Sequence, residues 1–369
     1  MIFKFLSNYY KKILIFKNKY IFLYKKLSLK EILIFTEQIS ILLHSKISII
    51  DTLDIISTNS KNKYVAEMLK SIKENILSGH LFSQSLYPYR KILGHVYINI
   101  VKVGESSGSL EITFNRLSKY LKKKNIIKTK LINIIIYPLF IIIFSIILIY
   151  LVMTYFIPQI AVILLKNKTE LPLITKILLL FSSLINEQWH IILIIIIISG
   201  CFLKYYFSTT NGQFIYNYII LKIPIIGNII SMSIILEFLR TLLMLLEEGL
   251  PISISLKITK NTINNIVIKK EINKIYNSIK NGYNISDVIK NNKFFPPIVI
   301  QMIIIGEKTG DIEHSLKSSS NFIEQNIEQK INLFMGSLGP LLTIFIGIMI
   351  GIIMLATLLP LFQMYNLIN

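Results

Sequence analysis

Cysteine is nearly absent: Cys201 is the one thiol in 369 residues. That excludes an intramolecular disulfide framework and any Cys-rich zinc or iron–sulfur site. Charge is scarce too, at 16% of residues, where soluble chains carry about a quarter. Acidic residues are half as many as basic ones, 20 against 40, which leaves a formal net charge of +20. Gly and Pro are few, at 15 and 10. What fills the chain is apolar: 53% of residues are hydrophobic and the mean hydropathy is +0.60. This excludes a disordered protein and argues against an ordinary soluble enzyme. In a chain this apolar, a basic excess is read first through the positive-inside rule.

Three stretches are long and uncharged enough to cross a bilayer. Leu131 to Ile157 has no charged residue and reaches roughly 40 Å as a helix, more than the ~30 Å hydrocarbon core. A shorter run, Trp189 to Leu203, is extended by the interfacial aromatics Tyr205, Tyr206 and Phe207. The third is Leu338 to Phe362, again uncharged. Arg116, Lys119, Lys122, Lys123, Lys124, Lys128 and Lys130 precede the first span without an acid among them. The following loop is nearly balanced, and nothing charged follows the third span. The rule therefore predicts residues 1–130 and 208–337 on the cytoplasmic side, with the loop and the C-terminus outward. The N-terminus does not read as a signal peptide, because Lys11, Lys12, Lys17 and Lys19 break its apolar runs. It reads as a basic, partly amphipathic segment for anionic headgroups or a partner, or else as a lysine-rich tail.

The two cytoplasmic stretches repeat each other. Val103-Gly104-Glu105-Ser106-Ser107-Gly108-Ser109-Leu110-Glu111 matches Ile305-Gly306-Glu307-Lys308-Thr309-Gly310-Asp311-Ile312-Glu313 at an offset of 202 residues, and Phe35 to Leu53 matches Phe238 to Leu256 at 203. This is the pattern of a duplicated domain of about 100 residues, with one residue gapped between the blocks. Each copy predicts helices only: Ile39, Leu42, Leu43 and Ile47 in one, and Leu242, Leu245, Leu246 and Leu250 in the other, keep helical spacing. Ser83-Gln84 and Ser286-Asp287 are candidate helix caps. The motif residues Gly104, Glu105, Gly108 and Glu111, with Gly306, Glu307, Gly310 and Glu313, are expected at a helix–helix junction. There glycine permits positive φ or close approach, and glutamate caps amides or pairs with a base. A pure interaction site is the alternative. Gly347 and Gly351 form a GxxxG pair in the third span, suited to helix packing within or between chains.

The predicted division is a basic segment 1–30, a helical domain 31–130, a span 131–157, an outward loop 158–188, a span 189–207, a second helical domain 208–337, a span 338–362 and an outward end 363–369. The fold class is mainly α: a polytopic membrane protein with three transmembrane helices and two homologous cytoplasmic helical bundles.

No enzyme site emerges, and no cofactor is expected. His44, His80, His95, His190 and His314 have no ligand spacing for zinc. Gly306-Glu307-Lys308-Thr309-Gly310 lacks the order of a phosphate loop. Glu247-Glu248 reads as a solvated face or a partner for lysines. Lys122-Lys123-Lys124 abuts a span, so lipid phosphates explain it more simply than nucleic acid. A transporter needs ionisable groups at mid-membrane, and the spans carry none.

With these motifs in this order, the chain resembles the inner-membrane platform proteins of type II secretion and type IV pilus assembly, the general secretion pathway F family. The doubled Gly-Glu-x-x-Gly is joined by Tyr137-Pro138, Pro158, Leu171-Pro172-Leu173-Ile174-Thr175-Lys176, Lys222-Ile223-Pro224-Ile225-Ile226-Gly227, Phe295-Pro296-Pro297 and Leu359-Pro360. The likeness covers roughly residues 30–365. It departs at Ser45-Lys46, where a glycine is usual, at Gly94, where copy two has Pro296, and at Gly339-Pro340. The resemblance implies a non-enzymatic scaffold in the cell inner membrane, with a cytoplasmic N-terminus and a periplasmic C-terminus. Its implied partners are a cytoplasmic assembly ATPase, pilin or pseudopilin subunits, other inner-membrane components of the machine and a second copy of itself. A small transporter component, or an orphaned remnant of such a machine, is the alternative.

Overall fold

The computed structural model describes residues 27–156, 158, 173–290 and 292–368. The described residues contain helices and no strand. Most of the basic N-terminal segment, most of the outward loop and Leu171-Pro172 lie outside them.

The first copy runs α1 (Leu29–His44), α2 (Ile49–Asn59), α3 (Lys63–Leu77), α4 (Phe82–Leu86), α5 (Arg90–Leu93) and α6 (His95–Ser106), then enters α7 (Leu110–Leu151). After α8 (Leu173–Ser208) and α9 (Thr210–Lys222), the second copy repeats that order without a counterpart of α5. It runs α10 (Ile226–Glu247), α11 (Ile252–Thr259), α12 (Ile266–Lys280), α13 (Ile285–Ile289) and α14 (Pro297–Thr309), then enters α15 (Ile312–Ile368). Local chemistry marks the starts. Ser28 accepts from the Glu31 amide while Glu31 accepts from the Ser28 amide, a reciprocal capping box. Asn62 caps α3 and Asn265 caps α12, at equivalent places.

The described residues of 27–128 and 230–325 cluster into one unit, which holds both copies of the duplicated domain. Duplication is visible in the core. Phe35 and Phe238, Leu53 and Leu256, and Ile72 and Ile275 are all buried at offset 203; Val101 and Ile303, and Phe114 and Leu316, are buried at offset 202. Met244 and Leu245 of the second copy join the core cluster of the first. Burial of such side chains stabilises by about 1.5–3 kcal/mol each.

The second unit takes the described residues of 129–229 and 326–368. Its helices expose large apolar side chains, among them Phe140, Phe144, Ile194, Ile198, Phe202, Ile344 and Ile348. Contiguous apolar surface of this kind calls for hydrocarbon rather than water. Lys130 and Glu328 form an ion pair within it.

Among the described residues, three helices are long and apolar enough to cross a membrane: Leu110–Leu151, Ile226–Glu247 and Ile312–Ile352. The first and last overlap the predicted spans 131–157 and 338–362. The middle one, α10, is largely buried by protein, so its apolarity belongs to a core helix, as predicted for its sequence in the second copy. The predicted span 189–207 lies instead in α8. That helix begins at Leu173, inside the predicted outward loop, and kinks at Gln188 (φ −118°, ψ 16°). The reason is compositional: 173–199 holds neither Gly nor Pro to end a helix. Likewise α9, predicted with the second bundle, groups with the apolar helices.

Candidate functional site: the repeated helix junction

In each copy the motif occupies the end of one helix and the start of the next. The backbone turns at Gly108 (φ 67°) and Gly310 (φ 77°), in the left-handed region that closes a helix. Gly104 and Gly306 lie one turn earlier. A Cβ on Gly104 would stand 2.3 Å from Thr113 Oγ1, and one on Gly306 would stand 2.3 Å from Ser315 Oγ. Thr113 and Ser315 are themselves repeat equivalents, 202 residues apart, and both are buried. The junction is therefore a close approach of a glycine to a small hydroxyl residue.

Glu105 and Glu307 reach back to a different helix. Glu105 accepts from the Phe82 amide at 2.5 Å, the Ser83 amide at 3.0 Å and the Ser83 hydroxyl at 2.6 Å. Glu307 accepts from the Ile285 amide at 2.6 Å and the Ser286 amide at 2.8 Å. The carboxylates thus satisfy the free amides that open α4 and α13, where the helix dipole also favours a negative charge. Those helices have five residues each and are too short to stand alone. The caps expected locally from Ser83-Gln84 and Ser286-Asp287 are thus supplied mainly from 21 to 23 residues further along the chain. Ser83 stands 22 residues before Glu105 and Ser286 stands 21 before Glu307, a recurrence within one residue that is the sequence signal able to reveal these caps.

Glu111 accepts from His44 Nδ1 at 2.8 Å and Lys46 Nζ at 2.6 Å. The Lys46 hydrogen bond first, then that of His44, holds its carboxyl below the usual carboxylate range. Glu313, its counterpart, is exposed. Gly347 and Gly351 have open space where a Cβ would go.

Beside the junction, α7 of the first copy meets α10 of the second. Arg116 Nη1 donates to Glu248 at 3.1 Å and to the Glu247 carbonyl at 2.7 Å, and Thr113 Oγ1 donates to Glu248 at 3.1 Å. Tyr120 and Thr241 share a hydrogen bond at 3.0 Å, and Lys124 donates to Glu237 at 2.5 Å. The numbers rise along α7 as they fall along α10, so the helices run antiparallel. Burial works against the Lys124 charge, but Tyr120 and Glu237 outweigh it and hold the proton on. The Glu248 side chain is 4% exposed, which corrects the reading of Glu247-Glu248 as a solvated face: one member is a buried partner, and its base is an arginine.

Among the described residues, no group of three or more His, Cys, Asp or Glu is placed to hold a metal ion. The arrangement binds helix to helix, and its polar groups are occupied by one another.

An all-helical duplicated domain carried with long apolar helices defines a class of multi-span membrane protein. The family model for type II secretion system protein F matches residues 35–158 and 238–360, one match per copy. The chain belongs to that family. It is 29% identical to the type IV pilus assembly protein PilC of Thermus thermophilus over 342 residues, 92% of this chain and 84% of that one. It is 22% identical to the type II secretion system protein F of Aeromonas hydrophila over 352 residues, 95% and 91% of the two chains. It is also 29% identical to the protein transport protein HofC homolog of Haemophilus influenzae, over 90% of this chain and 84% of that one. These relatives are named for assembly, secretion and transport, and none for a catalysed reaction.

Proposed function

We propose that the chain is the non-enzymatic platform of a secretion or type IV pilus-like machine in the cell inner membrane. It couples a cytoplasmic assembly ATPase to the incorporation of pilin or pseudopilin subunits. The observation that carries this reading is the double family match, which covers both copies and runs into an apolar helix each time. The N-terminus faces the cytoplasm and the C-terminus the periplasm, from the lysines and arginine crowded before the first span. Under this reading the Gly-Glu-x-x-Gly junctions keep each bundle stiff, so that a force on the cytoplasmic helices reaches the span that follows. Gly347 and Gly351, with nothing above them, offer a face for a second copy. The test is gentle detergent purification of the tagged protein from its native membrane, with identification of what accompanies it. An assembly ATPase and a pilin-like subunit are the expected companions. Intact protein recovered with neither would overturn the proposal.

A further inference from the structure

Alongside the α7–α10 seam lies a cavity of about 330 Å³, open on one side. Its wall carries Arg116, Lys119 and Lys123 from α7, Arg240 and Glu247 from α10, and Lys317 from α15. Five bases thus face one acid. Two of the bases are compensated: Arg116 by Glu248, and Arg240 by Glu324, whose carboxylate oxygen lies 2.5 Å from Arg240 Nη2. Among the described residues, Lys119, Lys123 and Lys317 have no ion pair, although the seam's other lysine, Lys124, has one. Subtracting Glu247 from these three leaves a surplus of about two positive charges in one concavity. Lys119 and Lys123 also stand four residues apart on one helix, a spacing at which like charges repel. Such a cluster costs free energy unless an anion shares it.

Arg240, nine-tenths buried, adds a guanidinium to the wall, its Nη2 held 2.5 Å from Glu324. Ser320 and Asn321 add neutral polar groups to the same wall.

We propose that this cavity binds a phosphate-bearing anion of about two negative charges. Guanidinium and ammonium groups around a pocket this small suit phosphate oxygens. The phosphate has two possible sources, a soluble phosphate compound or an anionic lipid headgroup. Lys123 stands only eight residues before the apolar stretch that begins at Leu131, a location where polybasic segments meet headgroups. The site stands independently of the platform reading.

The test uses the full chain reconstituted in nanodiscs of phosphatidylcholine, with inorganic pyrophosphate as the probe and sodium chloride at matched ionic strength as the reference. Thermal unfolding and phosphorus NMR should report saturable binding. The triple variant Lys119→Gln, Lys123→Gln, Lys317→Gln should weaken it at least tenfold. Lys122→Gln with Lys128→Gln, on the same helix but outside the cavity wall, should leave it within twofold. Should the triple variant fail to fold, Lys317→Gln alone, at an exposed position, should weaken binding in the same direction. A second arm adds phosphatidylglycerol to the nanodiscs. Lipid that displaces pyrophosphate, and that native mass spectrometry finds on the wild type but not on the triple variant, names the headgroup as occupant. Pyrophosphate binding that phosphatidylglycerol leaves unchanged names the soluble source. The absence of saturable binding in both arms, or equal binding by the wild type and the cavity variants, overturns the proposal and leaves a solvated lysine cluster or a seat for an acidic peptide.

Discussion

Arg116 and Glu248 join the two copies of the duplicated domain: the guanidinium of one lies 3.1 Å from the carboxylate of the other. Their burial is unequal, with side-chain exposures of 40% and 4%. Removing the arginine therefore leaves a buried carboxylate, which is the expensive half of the pair. Arg116→Ala should destabilise by about 2 kcal/mol, below the 3–5 typical of a fully buried pair, because water screens the exposed arginine. Glu248→Gln in the same chain should recover part of that loss. Unfolding curves of the two single variants and the double variant give the coupling. Additivity within ~0.3 kcal/mol would mean that the pair contributes nothing.

The junction glycines are tested by size. Gly104→Val and Gly306→Val each place a side chain where Thr113 or Ser315 already stands. Each should cost about 1–3 kcal/mol by overpacking and should reduce filament assembly if the platform reading holds. Gly306→Ala combined with Ser315→Gly should be closer to wild type than Gly306→Ala alone. Wild-type expression and assembly from both valine variants would refute the close approach.

The long-range caps are tested by charge. Glu105→Gln retains the shape of the side chain but weakens three hydrogen bonds, and Glu307→Gln weakens two. Charge-assisted bonds contribute about 1.5–3 kcal/mol. A loss of about 1–2 kcal/mol is expected for each variant, with faster amide exchange confined to α4 or α13. Unchanged exchange there would show that the short helices do not depend on the carboxylates.

Lys46 (φ 62°) and Gly249 (φ 82°) hold the same left-handed position in the two copies. Gly249→Ala should cost about 1 kcal/mol. Lys46→Gly should stabilise, since relief of the strained backbone exceeds what an exposed pair with Glu111 contributes. A lower melting temperature for Lys46→Gly would reverse that ranking.

The pair also sets a small acid dependence. The folded-state pKa of Glu111 is depressed by Lys46 and His44. Its stabilisation is therefore present above the unfolded carboxylate value, about 4.3, and is lost as pH falls through the lower folded value. Glu111→Gln should flatten stability between pH 5 and pH 3 relative to wild type, as read by unfolding at each pH. Identical profiles would show that the clasp is open in solution.

Much of this protein was legible in its residues. Helical periodicity, the offset repeat and the uncharged runs determine an all-helical duplicated domain carried with apolar helices, because such patterns are local and survive without knowledge of the partners. The motif glycines and glutamates were also visible, as types repeated at one spacing. Only the tertiary structure decided what each touches. It alone shows that α10, apolar enough for a membrane, is covered by protein, and that Glu105 caps a helix some 22 residues before it. It alone pairs Glu248 with Arg116. Burial and contacts between residues distant in sequence depend on how helices pack, and composition and periodicity within one segment carry no record of which helix lies opposite.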